Sequence, residues 1–86
     1  MRSGEQVIAD GDIILRPLES VPDEAVQEAH NVLIVTSEVG YHELRTGAFY
    51  TAGGRLIVVL KEPALLQSWL HDTLIMPGIW ELSLNN

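Results

Sequence analysis

Three histidines, twelve carboxylates and five serines are the side chains of this 86-residue sequence that could do acid–base, nucleophilic or metal chemistry, and no cysteine joins them. The eye goes first to His42 and Glu43, adjacent within SEVGYHELRTG. In a regular strand successive side chains point to opposite faces, so Tyr41, Glu43 and Arg45 share one face and His42, Leu44 and Thr46 the other. That alternation denies the two neighbours a joint proton-transfer or chelating role, and it predicts a Glu43–Arg45 ion pair instead. A zinc or other divalent metal site needs three or four ligands. His30, His42 and His71 with a carboxylate such as Glu38 could supply them, His42 and His71 foremost, on condition that distant segments converge. The sequence holds no HxH, HxxxH or HExxH spacing that would bring donors together locally. A ligand pocket between subunits would draw on Tyr41, His42 and His71.

Other chemistry finds less support. The serines lie in no nucleophile-elbow context, and Gly40, Gly47, Gly53, Gly54 and Gly78 form no phosphate-cradling loop. Asp10 with Asp12 reads as a turn, and Asp23 with Glu24 as the acidic first turn of a helix. An enzyme is therefore not expected. A formal net charge of −7, with Arg2, Arg16, Arg45, Arg55 and Lys61 scattered, argues against nucleic acid, whose phosphates require a basic stripe. The opening MRSGEQ lacks the apolar run of a signal peptide. The aliphatic run Leu56 to Leu60 is too short to span a bilayer. A cytoplasmic protein with no membrane contact is the expectation, and the lack of cysteine excludes disulfides and thiolate metal sites.

The elements that must position these residues are strands. The apolar period is close to two along most of the chain, which reads as one domain over residues 1–86. Asp12 to Leu18 is a strand with Pro17 confining it to an edge or ending it. Asn31 to Val39 is strongly β-prone, and its VLIV core is apolar on both faces. Tyr41 to Thr46 and Ala48 to Ala52 follow. Gly53-Gly54 between AFYTA and RLIVVL is a two-residue hairpin signal, because primed turns need positive φ. TLIM and IWELSL read as two strands about a Pro77-Gly78 type II turn. Residues 22–30 and 63–71 could each hold a short helix, the second with Leu65, Leu66, Trp69 and Leu70 on one face; an extended path suits both nearly as well. The fold class expected is mainly β, a small antiparallel barrel or sandwich of about six strands with at most two short helices.

Three segments, GDIILRPLESVP, VLIVTSEVGYHEL and EPALLQSWLHDTLIMPGIWELSL, together resemble a family of small bacterial, phage-associated or integron-type gene-cassette proteins of unassigned function. Its members read as a GD-strand, a GHxH segment and a closing HxxHxxxxLPPG stretch. The resemblance aligns His42 and His71 with two family histidines, puts Leu44 and Ser68 where two more would stand, and matches Met76-Pro77-Gly78 to the turn. It implies an accessory protein of a mobile element.

A chain this short buries only about 60% of its unfolded surface, and strands apolar on both faces need a cover on each. A non-enzymatic interaction module acting as a homo-oligomer, dimer or tetramer, follows, with Phe49, Tyr50, Trp69 and Trp80 as candidate interface anchors.

Overall fold

A computed structural model describes residues 7–30, 32–37, 40–69 and 71–84. Ten strands run through them: β1 (Ile8–Asp10), β2 (Ile13–Leu18), β3 (Val26–Gln27), β4 (Leu33–Ser37), β5 (Gly40–Leu44), β6 (Ala48–Ala52), β7 (Arg55–Leu60), β8 (Ala64–Ser68), β9 (Asp72–Ile75) and β10 (Gly78–Leu84). They form two antiparallel sheets, one of six strands in the order β1-β2-β10-β7-β6-β3 and one of four in the order β4-β5-β8-β9. The sheets face each other across a shared core and do not close into a barrel. Of the two architectures expected, the sandwich is the one adopted.

Neither of the short helices that residues 22–30 and 63–71 could hold forms among the described residues. The first region makes a turn, closed by Ala25 N–H donating to Pro22 O at 3.0 Å, and then the two-residue strand β3. The second becomes β8, where Ala64 and Leu66 are buried and Leu65 is exposed. A period of two therefore prevails over the helical stripe of Leu65, Leu66 and Trp69; Leu70 lies outside the described residues, as does Glu38. Ten strands form rather than about six: β3 and β8 come from these segments, and Ile8–Asp10 adds an edge strand to β2.

The path alternates. After β1, β2 and β3 the chain enters the four-stranded sheet for β4 and β5, returns for β6 and β7, leaves again for β8 and β9, and ends on β10 in the larger sheet. Each hairpin thus lies in the sheet opposite to its neighbours in sequence. Gly53 and Gly54, with φ of 58° and 84°, close the β6–β7 hairpin as expected. Pro77-Gly78 does not close one, because β9 and β10 belong to different sheets. It is a corner that carries the chain across, with Gly78 at φ 146°.

The core lies between the sheets. Ile13, Leu15, Phe49, Val58, Leu60, Trp80 and Leu82 come from the larger sheet, and Leu33, Leu44, Ala64, Leu66 and Ile75 from the smaller. Trp80 satisfies its indole by donating Nε1–H to Met76 O at 3.0 Å, which ties β10 to the corner before it. The larger sheet also has a second cover. Ile57 belongs to the face of β7 opposite Leu56, Val58 and Leu60, outside the core cluster, yet it is fully buried. The connection from β2 to β3 must pass β10, β7 and β6, a span of roughly 19 Å at four strand spacings. Its Val21, Pro22 and Ala25 are half-buried, and the charge of Glu24 acts on Arg55 at the start of β7. These observations lay residues 19–25 as a strap over the outer face of the larger sheet.

Candidate functional site

Strand alternation separates His42 from Glu43 as the sequence requires. His42, on β5, turns inward and is 4% exposed, the one buried polar side chain among the described residues. Glu43 turns outward and meets Arg45 Nη2 at 2.6 Å. His42 lies in register with Val35 on β4 and Ser68 on β8. Its Nδ1 is sealed from solvent. An imidazole in that position packs as part of the wall between the sheets.

His71 follows β8 in the tight turn to β9. Ser68 Oγ donates to His71 O at 2.8 Å, and Ser68 N–H donates to the same oxygen at 3.1 Å. The fold therefore brings the four positions aligned by the family resemblance into one neighbourhood: 42 and 44 along one face of β5, 68 opposite 42, and 71 bonded to 68. Two of the four are Leu44 and Ser68 in this chain, and the His71 side chain lies exposed while that of His42 is buried. Among the described residues no three of His, Asp and Glu gather as a metal-donor set. The third histidine, His30, stacks on Phe49 with ring centroids 6.0 Å apart, an end-cap to the core.

The aromatic residues divide by face. Phe49 and Trp80 are core residues, 0% and 7% exposed. Tyr50 is half-buried on the strapped face, opposite Phe49 on its strand, as alternation demands. Tyr41 and Trp69 are exposed. Trp69 lies directly over Gly40, where an added Cβ would overlap Nε1 and Cδ1 of the indole; only glycine leaves room for that ring.

Among the described residues two open clefts of about 390 Å³ each are found. One is lined by Thr46, Gly47, Val59, Leu60, Lys61 and Glu62, the other by Val35, Arg55, Leu56, Glu81 and Leu84. Neither contains Tyr41, His42 or His71. Beside the second cleft Arg55 makes paired hydrogen bonds to Glu81 at 3.2 and 3.3 Å. Hydrogen bonding to Glu81, then the charge of Glu81, raises the pKa of the guanidinium.

The feature that stands out is the outer face of the four-stranded sheet. Ile34 on β4 is 60% exposed, Leu74 on β9 55%, Leu65 on β8 45% and Tyr41 on β5 46%, with Trp69 at 62% beside them. The registers set these residues in rows. Thr36 faces Tyr41; Ile34, Glu43, Gln67 and Asp72 cross all four strands; Leu65 faces Leu74. Of the interface candidates read from the sequence, only Trp69 lies here. Ile34, Leu65 and Leu74 give no such signal in the sequence, because an isolated Leu or Ile in a strand reads as core until the facing layer is known.

No protein-family model, curated protein or solved structure matches the chain. Fold and site together define a class: a two-sheet antiparallel β protein whose smaller sheet carries exposed apolar side chains on its outer face. No helix among the described residues is long and apolar enough to cross a membrane.

Proposed function

We propose that this protein is a non-enzymatic interaction module that works as a homo-oligomer, and that the outer face of its four-stranded sheet is the association surface. The observation that carries this reading is the contrast between the two sheets. Both contain strands apolar on two faces, LIVVL in β7 and VLIV leading into β4. Ile57 on the second face of β7 is fully buried, whereas Ile34 on the second face of β4 stands 60% exposed. Exposed apolar side chains gathered on one face of a small protein mark an association site, and closed symmetric pairing is the commonest way to cover one.

The same face carries Glu43, Gln67 and Asp72 in its central row, with Glu43 paired to Arg45. An accessory role in a mobile element, as the family resemblance implies, is compatible with such a module and adds no chemistry to it.

Sedimentation velocity on the purified protein at 5–200 µM (a range chosen at about the scale of weak-to-moderate dimers) is expected to show a concentration-dependent dimer or tetramer. Leu74→Asp, which plants a charge in the bare face without touching the core, is expected to leave a folded monomer. A wild-type protein that stays monomeric throughout that range ends the proposal.

A further inference from the structure

We infer that the open edge of β4 is a further interaction surface, which takes an extended segment of a partner protein as an added strand. The segment it fits carries apolar residues at alternate positions and Lys or Arg at its ends. This edge is distinct from the outer face of the sheet and does not depend on the homo-oligomer reading.

Among the described residues the two sheets have four edge strands, β1, β3, β4 and β9. Proteins blunt such edges by keeping them short or charged, because unused backbone groups there can pair with another chain. Here β1 has three residues and contains Asp10, β3 has two, and β9 has four and opens on Asp72. The exception is β4: Leu33–Ser37 is five residues long, with no charge, proline or glycine. Its outward backbone groups can be named. Ser37 pairs with Gly40 across only two residues, so the two form a hydrogen-bonded pair, and such pairs alternate along an antiparallel ladder. Leu33 and Val35 therefore bond to β5, while Ile34 and Thr36 turn N–H and C=O to the open side. No other described strand pairs with β4, and among the described residues no backbone hydrogen bond outside the ladders reaches it.

A separate observation lies beside the edge. One of the two clefts is walled by Val35 of β4 and by Leu56, Leu82 and Leu84 of β7 and β10, with the paired Arg55 and Glu81 also in its lining. His42, the neighbour of Val35 on β5, is buried and takes no part in that lining. The open space therefore lies on the other side of Val35, toward the edge. A strand added about 4.8 Å from β4 sends every second side chain to the side that Val35 occupies, and those side chains enter the cleft. Backbone pairing gives such a complex its affinity, and pockets for alternate side chains give it selectivity. Apolar residues at those positions cover Leu84, which is 42% exposed, and basic ends complement the net charge of −7. A second copy suits this edge less well. Antiparallel pairing of β4 with itself sets the two-fold axis perpendicular to the sheet and puts both larger sheets on one side. The ends of β7 and β10 that floor each cleft then project into the same space, an obstacle that a lone strand does not meet.

The test uses a synthetic probe, the end-blocked peptide Lys-Thr-Val-Thr-Val-Thr-Val-Thr-Lys, titrated into isotope-labelled protein and followed by NMR. Binding is expected with a dissociation constant of roughly 100 µM or below. Amide shifts should centre on Ile34 and Thr36, with hydrogen exchange of those two amides slowed by the peptide. Thr36→Pro removes an outward donor and spares the β4–β5 ladder, and Leu84→Asp sets a carboxylate in the cleft. Each is expected to weaken binding at least about tenfold, while Leu74→Asp on the outer face binds as wild type does. Where circular dichroism shows Thr36→Pro unfolded, Leu84→Asp decides. No binding at about 1 mM peptide, binding that the edge and cleft variants leave unchanged, or binding that Leu74→Asp abolishes overturns the proposal. Protection of the Ile34 and Thr36 amides in the free protein that grows with its concentration also overturns it, and assigns the edge to a second copy. Peptide binding by a wild type that stays monomeric supports the site while ending the homo-oligomer reading.

Discussion

At the scale of single residues, His42 shows how a titratable group next to a carboxylate can be a packing residue. Its ring lies between Val35 and Ser68 on the inner face of β5, and truncation leaves a hole in a wall that cannot collapse freely. His42→Ala is therefore expected to lower unfolding stability by about 2–4 kcal/mol, the range of large-to-small core substitutions, read as a shift in the urea midpoint. An unchanged midpoint would show that the ring is not a packing residue. The separation of His42 from Glu43 and the Glu43–Arg45 pair are legible in the sequence, because both depend only on strand alternation. That His42 faces a buried layer is not, since burial is decided by β8 and by the sheet opposite. The same holds for Trp69, whose seat on Gly40 joins residues nearly thirty apart that no local pattern connects.

Elements tell a parallel story. The Gly53-Gly54 hairpin is readable because its requirement is local: both residues hold positive φ, and the space around each is open. Substitution there meets backbone strain alone. Gly53→Val and Gly54→Val are each expected to cost about 1–2 kcal/mol, the penalty of a left-handed conformation for a side chain, with Gly53→Asn much milder; denaturant midpoints of the three variants check this. Pro77-Gly78 misleads for the opposite reason. Its composition suits a turn, but whether a turn closes a hairpin or a corner depends on which sheet receives the next strand. Residues 63–71 similarly offer a helical stripe and a strand alternation in one stretch. Tertiary pairing of β8 with β5 and β9 decides between them.

For the whole molecule, the governing quantity is charge against apolar area. Two copies carrying −7 each, stacked face to face with centres about 26 Å apart as the thinnest dimension suggests, repel by about 8 kcal/mol in water without salt. At physiological ionic strength the Debye length is about 8 Å, and most of that repulsion is removed. Association is therefore expected to tighten as salt rises from about 10 to 150 mM, the reverse of an interface dominated by ion pairs; sedimentation or light scattering across that range decides it. The sequence shows two strands that are apolar on both faces. It conceals which of them the chain covers for itself, because the strap over residues 19–25 is polar and short and announces nothing about the face it crosses.

The alternating path has a kinetic consequence. The chain passes between the sheets four times, so every hairpin of the smaller sheet is tethered at both ends to strands of the larger. Neither layer can complete its core before the other has begun to assemble, and few of the decisive contacts are near neighbours in sequence. Such a topology folds on the slow side for its length, in milliseconds to seconds. It also leaves the unfinished smaller sheet with two apolar faces open at once, the interval in which encounter with a second nascent copy matters most.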